Sequence, residues 1–201
     1  RRLIFCDAAD RDWFLERLGT LLTGGAASCY AWALMKNHVH LLVRSGDMDL
    51  PTLMRRLLTG YAGYFNRRYN RHGQLFQNRY KSIICQEDVY LKELVRYIHL
   101  NPLRAGQVKT LDSLKNYKYC GHGVLLGAQR CSWQQADYVL GLFASDRRQA
   151  RQQYDRYVAD GVALGRRPEL VGGGLVRSMG GWEAVRKLRR QGQDRMKGDV
   201  R

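Results

Sequence analysis

The apolar residues of this sequence switch several times between helical and strand spacing, and this alternation restricts the possible fold more than any other feature. Asp7 is a favourable N-cap for a first helix, and Gly24-Gly25 ends it. The apolar stripe of that helix consists of Phe14, Leu18, Leu21 and Leu22. Large and small apolar residues then alternate from Cys29 to Leu34, and a second extended run covers His38 to Val43. These two runs predict a β-hairpin.

Two further helices and one further strand are predicted before residue 105. Pro51 suits the first turn of a second helix. The stripe of that helix is Leu50, Leu53, Met54, Leu57, Tyr61, Tyr64, Phe65 and Arg68. Tyr80 to Cys85 is predicted to be a strand, and Asp88 is expected to cap a third helix with the stripe Leu91, Leu94, Val95 and Ile98. Pro102 is expected to close this helix, because the residue before a proline is pushed out of the helical conformation.

This order of elements predicts an α+β fold, an antiparallel sheet with helices packed on it, in a first domain of residues 1–120. Residues 121–201 are predicted to be a helical extension, and they contain 15 Lys and Arg against 8 Asp and Glu. Ser145-Asp146 is expected to cap a helix that runs to about Val158. A basic helix is predicted from Trp182 to Arg190, after a flexible joint at Gly172-Gly173-Gly174.

The charge of the chain predicts a polyanionic partner. There are 34 Lys and Arg against 18 Asp and Glu, a formal net charge of +16, which favours nucleic acid first and an anionic membrane second. No apolar run reaches the roughly 18 residues of a spanning helix. The five cysteines are scattered and include no C-x-x-C pair, so we expect buried or idle thiols in a reducing cytoplasm.

His38-Val39-His40 lies on a predicted strand, where alternate side chains share a face. Both imidazoles therefore project to the same side, an arrangement that suits a divalent metal. A pair of this kind also arises by chance. A metal site needs at least one more ligand from elsewhere in the fold.

Tyr97 and Asn101 are four residues apart on the predicted third helix and therefore lie on one side of it. A tyrosine beside a metal-polarised phosphate can attack the phosphorus and form a covalent phosphotyrosine. The spacing is equally compatible with a tyrosine that only packs.

The segment from residue 51 to 81 is basic and aromatic, and no Asp or Glu occurs from Leu50 through Gln86. Its cations are Arg55, Arg56, Arg67, Arg68, Arg71, Arg79 and Lys81. They are interleaved with Tyr61, Tyr64, Phe65, Tyr69, Phe76 and Tyr80. This mixture is typical of phosphate contacts combined with base stacking on single-stranded nucleic acid. The alternative is a solvated charged face with core aromatics, to which Leu57, Tyr61, Tyr64 and Phe65 would belong.

Three segments resemble a known family when they are taken together and in order. They are AWALMKNHVHLLV at residues 31–43, GQLFQNRYK at 73–81 and RYIHLNPLRAG at 96–106. They closely resemble the IS200-like tyrosine transposases, and the nearest branch is the REP-associated tyrosine transposases. The resemblance spans about residues 3–120.

The resemblance implies a ferredoxin-like sheet, the fold of the HUH single-strand nucleases, that carries the histidine pair and is faced by the helix with the nucleophile. It implies that His38 and His40 bind Mg²⁺ or Mn²⁺ and that Tyr97 attacks DNA to leave a 5′-phosphotyrosine. Asn101 falls where the family has its third metal ligand, which is glutamine in many relatives. Family members usually have a strand ahead of the position of Arg1, so the first strand of the domain is expected to be missing from this sequence.

The partner implied by the resemblance is single-stranded DNA with a REP-like hairpin, gripped by Arg55, Arg56, Arg67, Arg68, Arg71, Arg79, Tyr80 and Lys81. No membrane partner is expected, and the protein would act as a monomer or homodimer at the bacterial nucleoid. Two alternatives stay open. In the first, the chain is a domesticated hairpin-binding protein without cleavage activity. In the second, it is a nuclease in which water, and not Tyr97, attacks the phosphate.

Overall fold

The computed structural model describes residues 3–77, 80 and 88–164. The described elements are, in order, α1 (Ala8–Leu22), a 3₁₀ turn (Thr23–Gly25), β1 (Ala27–Leu34), β2 (Val39–Ser45), α2 (Leu50–Arg68), α3 (Asp88–Arg104), α4 (Leu111–Lys115), α5 (His122–Leu126), α6 (Ala136–Gly141) and α7 (Arg147–Asp160). Of the predicted strand Tyr80 to Cys85 only Tyr80 is described. The predicted helix from Trp182 to Arg190 and the joint at Gly172-Gly173-Gly174 lie outside the described residues.

Side-chain caps start α1 and α7 at the predicted places, whereas Asp88, the predicted cap of the third helix, is the first residue of α3. The Asp7 carboxylate accepts a hydrogen bond from the Asp10 N–H at 3.1 Å and begins α1, and Pro51 lies in the first turn of α2. Asp146 begins α7 by accepting a bond from the Gln149 N–H at 2.7 Å. Each cap satisfies a backbone donor that has no partner within the helix. These three starts are confirmed.

The predicted β-hairpin is also confirmed. β1 and β2 pair antiparallel, with Ala33 opposite His40 and Ala31 opposite Leu42, and the register shifts between Cys29 and Ala31. The Met35 N–H donates to the His38 carbonyl at 2.9 Å and closes the turn. The turn therefore fixes the register that brings the histidines to the start of β2.

The two faces of the hairpin are covered by different helices. On one face, Trp32 and Leu34 pack in a core with α1 and α2. On the other, Ala31, Ala33 and Leu42 pack with α3 and with apolar residues of α4 to α7. This is the predicted α+β class, a two-stranded antiparallel sheet packed between helices. The division at residue 120 stays a prediction, although described residues on both sides of it share one core.

The outer edge of β1 is hydrogen-bonded to segments that are not strands. The Leu34 N–H donates to the Tyr119 carbonyl at 2.9 Å, and the Gly121 N–H donates to the Trp32 carbonyl at 2.9 Å. Farther along, the Gln135 N–H donates to the Cys29 carbonyl at 2.8 Å. These bonds satisfy backbone groups that an edge strand leaves unpaired.

The expected end of the third helix at Pro102 is wrong, because α3 continues to Arg104. Proline lacks an N–H, so Pro102 cannot make the helical bond to the Ile98 carbonyl. Helical bonding continues beyond it, since the Ala105 N–H donates to the Asn101 carbonyl at 2.9 Å. Asn101 therefore stays within the helix, one turn beyond Tyr97.

Two further expectations concern the described residues only. Cys6, Cys29, Cys120 and Cys131 are free thiols, of which Cys29 and Cys120 are buried and Cys6 is exposed. Within the ranges 3–77 and 88–164, none of the helices has the length and apolar character needed to cross a bilayer.

Candidate active site

The two histidines face each other beside the start of β2. Their Nε2 atoms are 3.0 Å apart, and their rings are nearly perpendicular, with centroids separated by 4.8 Å. Val39 and Leu41 point to the opposite face and pack with α1 and α2. His38 was predicted to lie on the strand but immediately precedes β2, and the two imidazoles nevertheless share one face as predicted.

Asn37 orients the first of these histidines. The Nδ1–H of His38 donates to the Asn37 carboxamide oxygen at 2.7 Å. In a neutral imidazole this bond leaves the lone pair on Nε2, the atom that faces His40. Sequence reasoning missed Asn37, although its position in the hairpin turn next to His38 was a signal that could have been used.

Burial keeps His40 neutral. Burial and, to a smaller extent, the neighbouring His38 together lower the pKa of His40 to about 4. A neutral imidazole is the form that binds a metal ion. At neutral pH both the geometry and the protonation of His40 suit a ligand.

Tyr97 on α3 lies against the histidine pair. Its side chain is 9% exposed, and its ring meets the His40 ring at 89° with centroids 5.9 Å apart. The guanidinium carbon of Arg104 lies 5.7 Å from the Tyr97 ring centroid on another side. The structure thus brings His38, His40 and Tyr97 together although 57 residues separate His40 from Tyr97 in sequence.

Asn101 is held on the same helix by its amide nitrogen. The Asn101 Nδ2 donates to the Tyr97 carbonyl at 2.9 Å, which leaves the carboxamide oxygen as the atom available to a cation. His99 is buried instead in the core between α3 and α7, in keeping with its exclusion from the predicted metal site.

This donor set fits a divalent cation. Two ligands at right angles, each about 2.0–2.1 Å from an octahedral ion, lie about 3 Å apart, which matches the 3.0 Å between the Nε2 atoms. In the part of the chain that the structure describes, there is no group of three His, Cys, Asp or Glu residues that could hold a metal. Among these described residues, the carboxamide oxygen of Asn101 is the predicted third ligand.

The predicted DNA-binding cations differ in their surroundings. Arg55, Arg56, Arg67 and Arg68 are exposed on α2, but Arg68 is bound to the carboxylates of Asp7 and Asp10, each at 2.6 Å. Arg71 is partly buried, Tyr80 is partly buried, and Arg79 and Lys81 lie outside the described residues. Residues 50–86 contain no acid, and the carboxylates that pair with Arg68 come from the start of α1.

The aromatic residues of α2 are mostly core residues. Tyr61 and Phe65 are buried between α1, β1 and α2, and Tyr64 stacks on Trp13 with centroids 4.6 Å apart. Tyr69 donates its hydroxyl to Asp10 at 2.9 Å. The alternative of core packing is therefore correct for Tyr61 and Phe65, which cannot stack on bases.

The fold and site define an α+β protein with a metal-compatible histidine pair beside a tyrosine. Residues 1–101 match the family model described as "Transposase IS200 like", and this is half of the 201-residue chain. The chain belongs to the IS200-like transposase family. Membership implies a DNA transposase that cleaves single strands with the help of a divalent metal. Neither the comparison with curated proteins nor that with solved structures found a match.

Proposed function

We propose that this chain cleaves and rejoins hairpin-bearing single-stranded DNA through a 5′-phosphotyrosine on Tyr97. The observation that supports this proposal is the meeting of Tyr97 with the histidine pair, with ring centroids of Tyr97 and His40 5.9 Å apart. His38, His40 and the Asn101 oxygen would hold Mg²⁺ or Mn²⁺. A bound cation of this kind polarises a phosphate and neutralises the charge that develops on it.

The proposed reaction is a transesterification in which the Tyr97 hydroxyl replaces the 3′ oxygen on the scissile phosphate. The Tyr97 hydroxyl oxygen bonds to the phosphorus as the bond from phosphorus to the 3′ oxygen of the preceding nucleotide breaks. The tyrosine proton leaves to solvent, and the departing 3′ oxygen takes up a proton. Rejoining is the reverse reaction with a 3′ hydroxyl as nucleophile, so no nucleotide cofactor is consumed.

The finer assignments belong to the same proposal. The chain would be a member of the REP-associated branch, with a ferredoxin-like HUH domain over residues 1–120 and a helical extension over 121–201. The DNA-contacting residues would be Arg55, Arg56, Arg67, Arg71, Arg79, Tyr80 and Lys81. Arg68 was also predicted to bind DNA, but its two carboxylate partners favour a role in joining α2 to α1.

The first prediction is that wild-type protein with Mn²⁺ and a hairpin oligonucleotide forms a covalent adduct that Tyr97→Phe abolishes. The adduct is measured as labelled protein on a denaturing gel. A label at the 3′ end of the DNA should stay with the protein, and a label at the 5′ end should not, because a 5′-phosphotyrosine retains the downstream fragment.

Tyr138→Phe is the matched control. Tyr138 is 44% exposed on α6, and the substitution removes a hydroxyl while leaving the Tyr97 site unchanged. An adduct with Tyr97→Phe would show that another nucleophile acts. Free ends without an adduct would indicate attack by water. Tight hairpin binding without any cleavage would indicate a domesticated binding protein.

A further inference from the structure

The α7 helix packs along the helix that carries Tyr97. Its buried residues are Ala150, Tyr154 and Val158, which are spaced by four and form one narrow apolar stripe. This stripe lies in the same core as Val95 and Ile98 of α3. Most other α7 residues are exposed, so contact with the core is confined to this one face.

The Tyr154 hydroxyl joins three helices. It lies 2.7 Å from the Nδ1 atom of His99 on α3 and 2.7 Å from the Nδ1 atom of His122 on α5, and all three side chains are buried. One hydroxyl can donate to one imidazole and accept from the other. Neither Nε2 atom has a hydrogen-bond partner among residues 3–77, 80 and 88–164, so Tyr154 supplies the side-chain hydrogen bond of each histidine there. His99 is two residues from Tyr97.

The residue before Tyr97 is also bound to α7. The Arg96 guanidinium lies over the Tyr157 ring, 4.1 Å from its centroid, and donates to the Tyr157 carbonyl at 3.3 Å. Glu93 completes this cluster by accepting bonds from Arg96 at 2.6 Å and from the Tyr157 hydroxyl at 2.5 Å. Arg96 is buried, which makes the loss of these partners costly.

The end of α7 contacts α3 at Arg104, beyond Tyr97 in sequence. The Gly161 carbonyl accepts a bond from Arg104 at 3.1 Å, and the Arg104 guanidinium lies beside the Tyr97 ring. A Cβ atom at Gly161 would come within 2.4 Å of the Arg96 Cδ atom. The close approach of α7 to α3 thus depends on a glycine at this position.

We propose that α7 is a positioning element for the nucleophile, with Tyr154, Tyr157 and Gly161 holding α3 in the orientation that presents Tyr97 to His40. Its contacts with residues 96, 99 and 104 lie on both sides of residue 97 in sequence. The extension of this chain therefore acts on the orientation of its own tyrosine. This inference rests on the proposed function of Tyr97.

The second prediction concerns Tyr154→Phe, which removes one oxygen atom and keeps the ring. The single-turnover rate of adduct formation should fall about tenfold to a hundredfold, the effect expected when a reacting group is misplaced by about 1 Å. The dissociation constant for the hairpin, measured in EDTA, should stay within about twofold, because the lost interaction orients the nucleophile and binds no DNA. Tyr138→Phe should change neither value.

Gly161→Ala tests the same inference at the C-terminal end of α7. It should give the same split, with a slower adduct rate and an unchanged dissociation constant. Gly141→Ala is its control, since a Cβ atom at Gly141 would meet nothing within 4 Å. Rates are compared below the unfolding midpoint of every variant, so that a loss of folded protein does not enter the comparison.

The outcomes separate this inference from the proposed function. Wild-type adduct rates in both Tyr154→Phe and Gly161→Ala would overturn the inference, and so would weaker hairpin binding that accounts for the whole loss of adduct. If Tyr97→Phe is inactive while these two variants are normal, only the inference fails. If Tyr97→Phe still forms the adduct, the proposed function fails.

Discussion

At the scale of single residues, the Asn37 carboxamide determines which nitrogen of His38 faces His40. Because an amide oxygen only accepts, the 2.7 Å bond requires a proton on Nδ1 and places the lone pair of His38 on Nε2, the atom that faces His40. Ligand orientation by such a second residue commonly affects metal affinity as much as the removal of a weak ligand does.

The third prediction follows from this bond. Asn37→Ala should weaken Mn²⁺ binding about 10- to 100-fold, measured by titration of the full chain without DNA. Asn37→Asp keeps an acceptor at the same place and should restore most of the affinity. Asn116→Ala, at the end of α4, is a control of the same type. Unchanged affinity in Asn37→Ala would mean that the hairpin turn alone orients His38.

At the scale of elements, the arginines at the two ends of α2 differ in their ion pairing. Arg68 near its C-terminus is tied to the first turn of α1, while Arg55 and Arg56 are exposed near its start. Arg68 is exposed as well, but it can bind a phosphate only by giving up its two ion pairs. The DNA-binding part of α2 is therefore expected at Arg55, Arg56 and Arg67, for which no ion pair is found within the described residues.

The fourth prediction uses the salt dependence of binding. Arg56→Ala should reduce the slope of log K against log salt concentration by about 0.7, the value for one phosphate contact on a single strand. The slope is measured by hairpin titrations between low and moderate salt. Arg147→Ala, whose arginine pairs with Asp137 at 3.2 Å, should leave the slope nearly unchanged. Equal slopes in wild type and Arg56→Ala would remove α2 from the DNA interface.

Local rules explain which parts of these elements were predictable. Caps and turns depend on residues a few positions apart, so Asp7, Asp146 and the hairpin could be found from the sequence. The carboxylates that bind Arg68 come from residues 58 and 61 positions earlier. The charge count of residues 50–86 could not reveal them, and the surface charge of α2 was overestimated.

The candidate site was predictable for a different reason. Extended-chain alternation puts His38 and His40 on one face, and helical spacing puts Tyr97 one turn from Asn101, but only the fold brings Tyr97 against His40. The Tyr154 contacts with His99 and His122 span 55 and 32 residues between buried side chains. No spacing rule connects them, so the contribution of α7 was missed.

At the scale of the whole molecule, buried neutral histidines make stability depend on pH. Burial lowers the pKa of His122 to about 4 from 6.5. Between pH 4 and pH 6.5, His122 therefore binds a proton more readily in the unfolded chain than in the folded protein. Its contribution to the unfolding free energy is complete above about pH 6.5 and is lost as the pH falls toward 4. The difference between the two pKa values of His122 corresponds to about 3 kcal/mol of unfolding free energy.

The fifth prediction tests this linkage with chemical denaturation in EDTA. His122→Gln should make the unfolding free energy less dependent on pH between 6.5 and 4, with about one proton fewer taken up on unfolding. His72→Gln is the control, because His72 is exposed. An unchanged pH dependence in His122→Gln would show that this histidine is already charged in the folded protein.

Among the described residues, the outer edge of β1 is occupied by its hydrogen bonds with Tyr119, Gly121 and Gln135. A further strand that joined the sheet on its other side would lie next to β2. We expect such an addition to stiffen the strand that contains His40, so that sheet extension and the geometry of the histidine pair would be linked.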